Sequence, residues 1–103
     1  MKTIISGRRY DTETAEEVAK FWNGLSGNDF RSLSESLYRT KNGAYFLAGE
    51  GGPMTRYAQP CGDATGGGSC IFPLSDEEAL EWLEGHGEMD AIEKYFAASI
   101  VDA

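Results

Sequence analysis

Ser36-Leu37-Tyr38-Arg39-Thr40-Lys41-Asn42-Gly43-Ala44-Tyr45-Phe46-Leu47-Ala48 is the stretch on which the fold turns. Two runs of strand-forming residues flank Asn42-Gly43, the pair that best tolerates the positive φ angles of a type I′ turn. A two-residue loop predicts Thr40 opposite Tyr45, Arg39 opposite Phe46, Tyr38 opposite Leu47 and Leu37 opposite Ala48. Tyr38, Thr40, Tyr45 and Leu47 then share one face, and Leu37, Arg39, Phe46 and Ala48 the other. Both faces carry apolar residues, so both are expected to be covered at least in part.

Downstream, Gly49-Glu50-Gly51-Gly52-Pro53 closes the hairpin. Met54 to Gln59 reads as a third long strand and Ser69 to Phe72 as a fourth, joined by a flexible loop from Pro60 to Gly68, which makes a meander. Ser75-Asp76-Glu77-Glu78 is a capping box, in which the serine hydroxyl and the Glu78 carboxylate satisfy free amides at a helix start. Ala79, Trp82 and Leu83 give that helix a buried stripe, and Gly85-His86-Gly87 stops it. Asp90 is expected to cap a last helix along which Ile92, Tyr95, Phe96 and Ile100 recur.

Upstream, residues 2–6 alternate weakly as an edge strand and Gly7-Arg8-Arg9-Tyr10 turns the chain. Thr14-Ala15-Glu16-Glu17 matches a second capping box, predicting a helix that buries Ala15, Val18, Ala19 and Trp22 and ends near Asn23-Gly24. Ser26 to Asp29 reads as loop. The expected architecture is α+β: one domain over 1–103, an antiparallel sheet of three to five strands with the central hairpin 36–48, packed against one to three helices. Without regular β-α-β alternation, a Rossmann-like sheet is not expected.

The charge of the chain is concentrated at one end. Residues 1–60 hold eight basic and seven acidic side chains, whereas from Cys61 onward Lys94 stands against ten carboxylates, and the whole chain carries −8. A field of that sign repels nucleic acid and anionic membranes and attracts basic protein surfaces. With 41% hydrophobic and 12% aromatic residues, the 103-residue chain is too apolar for a disordered acidic tail. No apolar run approaches the roughly 20 residues of a membrane span, and the N-terminus lacks a signal peptide's apolar stretch, so the cytoplasm is the expected compartment.

Few residue patterns suggest chemistry. Cys61 and Cys70 lack zinc-site spacing, and in a reducing compartment they remain thiols, although a hairpin would bring them together under oxidant. The Gly62 to Gly68 segment lacks the Gly-Lys-Ser/Thr ending of a P-loop, and Gly49-Glu50-Gly51-Gly52 sets a carboxylate where phosphate would sit. His86, the only histidine, lies between glycines at a helix end, where an imidazole interacts with free carbonyls. Arg8 and Arg9 are expected to pair with the chain's own carboxylates. No catalytic, cofactor or metal residues are expected; the enzyme alternative would use a carboxylate or thiol site.

The more informative pattern is acidic. Glu77, Glu81, Glu84 and Glu88 recur every three or four residues, a row spaced about 6 Å apart if the helix persists to 88. Asp76 and Glu78 flank them, with no interleaved cations to form i, i+4 pairs.

Three stretches carry a resemblance: Tyr10-Asp11-Thr12-Glu13-Thr14-Ala15, then Leu37 to Gly43 with Phe46 to Gly52, then Pro73-Leu74-Ser75-Asp76-Glu77-Glu78-Ala79. In that order the chain resembles a group of small bacterial, phage and plasmid proteins of mobile-element context, from which no catalytic motif carries across. In size and charge it is similar to inhibitors of host-defence nucleases such as anti-CRISPR proteins. What the resemblance implies is a mobile-element or accessory-gene context, and the one-sided charge adds the expectation of a non-enzymatic interaction protein whose partner is the basic surface of a nucleic-acid-handling complex, which it inhibits. Asp76, Glu77, Glu78, Glu81, Glu84 and Glu88 would then stand where phosphates bind. The alternative is an accessory regulatory or structural module whose acidity serves only solubility.

Overall fold

In a computed structural model, residues 1–26, 28–61 and 64–103 are described, with the backbone alone over 59–61 and 64–66. The chain runs β1 (Lys2–Ile5), β2 (Arg8–Asp11), β3 (Glu16–Trp22), β4 (Leu33–Arg39), β5 (Tyr45–Gly51), β6 (Gln59–Cys61), β7 (Ala64–Gly66), β8 (Gly68–Leu74), α1 (Asp76–Gly85) and α2 (Met89–Tyr95). A short 3₁₀ turn, Ala97–Ser99, follows. The fold is α+β, with a four-stranded antiparallel sheet in the order β3-β4-β5-β8. β1 pairs with β2 and β6 with β7 as separate two-stranded ribbons.

The central hairpin forms, but one residue out of the expected register. Arg39 faces Tyr45, Tyr38 faces Phe46, Leu37 faces Leu47 and Ser36 faces Ala48. The loop holds Lys41, Asn42 and Gly43 rather than two residues. The Gly43 N–H donates to Thr40 O at 2.9 Å, the Thr40 N–H donates to Ala44 O at 2.8 Å, and Thr40 Oγ1 accepts the Ala44 N–H at 3.0 Å. Gly43, at φ +86°, takes the left-handed position of this wider turn. A one-residue shift exchanges partners across the hairpin, so Leu37, Tyr45 and Leu47 share one face and Tyr38, Phe46 and Ala48 the other.

Each face is covered by a different element. Leu37, Tyr45 and Leu47 pack with Ala79 and Leu83 of α1, Ala91 of α2 and Phe96. On the reverse, Phe46, Ala48 and Ile71 pack with Tyr10 of β2, whose ring meets Phe46 edge-on at 5.5 Å. Phe46, Leu37, Leu47 and Leu83 are the largest fully buried side chains. Each contributes about 1.5–3 kcal/mol relative to exposure.

Several expectations fail. Residues 14–23 are not a helix: β3 pairs along β4 from Glu16↔Arg39 to Trp22↔Ser34, and a bulge between Glu17 and Ala19 shifts its register. That bulge lets consecutive Val18 and Ala19 both pack against the helix-side core, which mimics helical spacing. Trp22 accordingly is no core residue, being 63% exposed. Arg8, Arg9 and Tyr10 lie in β2 rather than in a turn, which instead falls at Ser6-Gly7, both with positive φ. Met54 to Ala58 forms turns rather than a third long strand, and the segment read as a loop contains the β6–β7 ribbon. β8 supplies the fourth strand of the main sheet, longer than expected at both ends.

Candidate functional site

The helix start at Ser75 is built as the sequence dictates. Ser75 Oγ accepts the Glu78 N–H at 3.1 Å and Glu78 Oε1 accepts the Ser75 N–H at 2.9 Å. These bonds hold the Glu78 carboxyl below its ordinary range, and they make Glu78 a capping group. Glu77, Glu81 and Glu84 are exposed on α1, while Ala79 and Leu83 are buried on its other side. The row does not reach Glu88. The helix ends at Gly85, the Glu88 N–H donates to Leu83 O at 3.0 Å, and Gly87 adopts φ +67°, so Glu88 turns off the axis and opens α2. Asp90 lies in the first turn of α2 rather than capping it, and Glu88 makes no side-chain cap bond.

Beside this face lies a cleft of about 340 Å³ lined by Leu80, Met89, Ile92, Ile100 and Val101, with Glu84 and Glu93 among its walls. Met89 is 68% exposed and Val101 87%; Ile100, expected on the buried stripe of the last helix, is 46% exposed because α2 ends at Tyr95. Asp76 sits apart, beside Arg39 and Tyr45 in a second cleft.

Among the described residues, one carboxylate is buried. Glu35, 3% exposed, shares a face of β4 with Leu37 and accepts three donors: Tyr57 Oη at 2.5 Å, Arg56 Nη1 at 3.3 Å and Trp82 Nε1 at 3.2 Å. Arg56 also lies over the Phe72 ring, 4.8 Å from its centroid. Burial, then the bond to Glu35, pushes the Tyr57 hydroxyl well above its ordinary value. His86 stacks on Phe21 at 4.1 Å and meets Trp82 edge-on at 4.4 Å. The imidazole thus sits in an aromatic clamp, rather than simply meeting helix-end carbonyls, while its backbone N–H closes the helix on Trp82 O at 3.2 Å. With Glu35 enclosed and its oxygens occupied, this cluster joins α1 and the 53–57 turns to the sheet.

A wider groove, about 810 Å³, opens at the other end of the reverse face. Its lining includes Trp22, Phe30, Ser34, Glu50 and Ser69. Trp22↔Ser34, Ser34↔Glu50 and Glu50↔Ser69 are direct register partners, which puts these four residues in one row across the four strands. Sequence reading missed both the Glu35 cluster and this groove. The usable signal for Glu35 was its two-residue spacing from Leu37 on a strand with a buried face; Trp22 was assigned to the wrong periodicity.

Arg8 and Arg9 are exposed, and among the described residues they form no ion pair; the pairs there are Arg31–Asp29 at 3.4 Å and Arg56–Glu35 at 3.3 Å. Cys70 is exposed, and the Cys61 side chain, with any bond between the two, lies outside the described residues. No helix among the described residues is long and apolar enough to cross a membrane. These features define an α+β domain with an acidic helical face, a buried carboxylate anchor and an aromatic groove. Comparison with protein families, curated proteins and solved structures found no match.

Proposed function

We propose that the chain is a non-enzymatic interaction protein of mobile-element context that inhibits a nucleic-acid-handling complex of the host-defence, CRISPR-like kind. Its acidic helical face occupies the partner's basic surface, with Glu77, Glu81 and Glu84 standing where phosphates bind. The observation that carries this reading over mere solubility is the exposed apolar cleft walled by Glu84 and Glu93. Solvated acids alone have no use for an exposed Met89 and Val101, whereas a binding surface combines apolar contact with a charged rim. Lys94 is the only cation from Cys61 onward, and its ammonium lies 5.1 Å from the Tyr95 ring centroid.

The test is a binding titration on a panel of purified RNA-guided nucleases with the wild type and the Glu77→Lys/Glu81→Lys/Glu84→Lys variant, at two salt concentrations. Wild-type affinity is expected to fall as salt rises, and guide or target nucleic acid to compete. The triple variant should lose binding while circular dichroism reports an intact fold, because exposed charges contribute little to stability. Unchanged affinity in the folded variant would sink the acidic-face mechanism.

A further inference from the structure

We infer that the groove at the end of the sheet is a docking site for an arginine side chain carried on an extended basic segment of a partner protein. Its chemistry selects a cation. Trp22 and Phe30 are 63% and 65% exposed and line the groove together with the Glu50 and Asp29 carboxylates, and among the described residues no lysine or arginine lines it. Asp29 is already engaged by Arg31, which leaves Glu50 as the exposed acceptor without an ion-pair partner among the described residues. Such a lining repels phosphate, so a nucleic acid strand is not its occupant.

The geometry favours a guanidinium over an ammonium. Trp22 donates its indole N–H to Leu25 O at 2.9 Å, so the polar edge of the ring is satisfied internally. What remains for a partner is the π face, on which a planar, weakly hydrated guanidinium stacks. Glu50 lies in the same row two strands away, about 10 Å at ordinary strand spacing, a distance within reach of a long side chain crossing Ser34. A carboxylate there accepts a guanidinium with two parallel bonds. At about 810 Å³ the groove exceeds one side chain, so the peptide backbone on either side has room as well.

The groove is also built in advance of any ligand. Asn23 ties the end of β3 to the residues that open β4, its Nδ2 donating to Arg31 O at 2.7 Å and its Oδ1 accepting the Leu33 N–H at 3.2 Å. The Gly52 N–H donates to Ser32 O at 2.9 Å and the Met54 N–H to Phe30 O at 2.8 Å. A Cβ on Gly52 would come within 2.5 Å of Phe30 O, so the approach of these two loops depends on glycine. Ordering fixed before binding lowers the entropic cost of association. This site shares with the proposed function the expectation of a basic partner, but it lies on the opposite face of the sheet from α1, and the two fail separately.

The probe is an acetylated, amidated peptide of alternating arginine and glycine, titrated into isotope-labelled protein and followed by amide shifts and tryptophan fluorescence. Perturbations are expected at Trp22, Ser34, Glu50 and Ser69. The citrulline peptide, isosteric but neutral, should bind about tenfold more weakly, as should the arginine peptide to Trp22→Ala. Trp22→Phe keeps most of the affinity, and Glu50→Gln lowers it about threefold while flattening its salt dependence. The Glu77→Lys/Glu81→Lys/Glu84→Lys variant retains the shifts in the groove even if it loses the nuclease. Equal binding of the citrulline peptide, shifts confined to α1, or unaltered affinity in folded Trp22→Ala would each overturn the assignment.

Discussion

The indole N–H of Trp82 donates to Glu35 Oε1 at 3.2 Å and so joins α1 to β4 across 47 positions of sequence. Tyr57 and Arg56 bind the other carboxylate oxygen, so helix, strand and the turns after β5 meet on one buried group. A carboxylate in that position stabilises the fold only while its donors are present.

Glu35→Ala should therefore destabilise the protein by about 2–4 kcal/mol, because it leaves a buried hydroxyl and a half-buried indole N–H without their acceptor, whereas the half-exposed Arg56 guanidinium turns to water. Trp82→Phe keeps most of the ring and loses one bond to a charged group, an expected cost of about 1.5–3 kcal/mol. Urea denaturation monitored by circular dichroism measures both; a Glu35→Ala loss under about 1 kcal/mol would show that the cluster is not an anchor.

Alkaline pH should attack the same place. Burial holds the Tyr57 hydroxyl above its ordinary value near 10, and burial acts in the same direction at Tyr38 and Tyr45. A group whose folded pKa is raised contributes its full stability below the unfolded value and loses it as pH climbs beyond that value. Stability should thus hold up to about pH 10 and decline above it. Comparing urea midpoints at successive pH values for the wild type and Tyr57→Phe checks the source: the variant should show a shallower alkaline decline.

Gly49 is fixed by the same tyrosine. A Cβ there would collide with the Tyr57 hydroxyl and lie 2.9 Å from Ser34 O. Gly49→Ala is expected to push Tyr57 off Glu35 at a cost of about 1–3 kcal/mol, and the fall should shrink in a Tyr57→Ala background, where the hydroxyl and the ring Cζ, 2.6 Å from the added Cβ, are both gone. Equal losses in both backgrounds would place the strain at the backbone contact instead.

The parts of the fold that were legible in the sequence are those set by local chemistry. Ser75 and Glu78 form the capping box their spacing encodes, and the hairpin turns at Asn42-Gly43. Its register was not legible, since the same dipeptide serves two- and three-residue loops, and the bonds between Thr40 and Ala44 select the longer. β3 was misread because Thr14 and Glu17 imitate a cap while a bulge sets Val18 and Ala19 against one core. Glu35, between two serines on a strand, looks like a surface acid; its donors Arg56, Tyr57 and Trp82 come from segments 21 to 47 residues away.

The two tryptophans give the sharpest contrast. Trp82 packs against the helix-side core and satisfies Glu35, so Trp82→Ala is expected to cost about 3 kcal/mol. Trp22 is 63% exposed, and its one internal bond runs to the neighbouring loop at Leu25 O. Trp22→Ala should stay within about 1 kcal/mol of wild type, in the range of ordinary surface changes. Parallel urea curves on the two variants separate the roles: a costly Trp22→Ala would mean that the ring supports the loop, whereas a cheap one means that the exposed indole adds little to the fold. A folded Trp22→Ala protein is also the condition under which its loss of arginine-peptide binding reports on the groove itself.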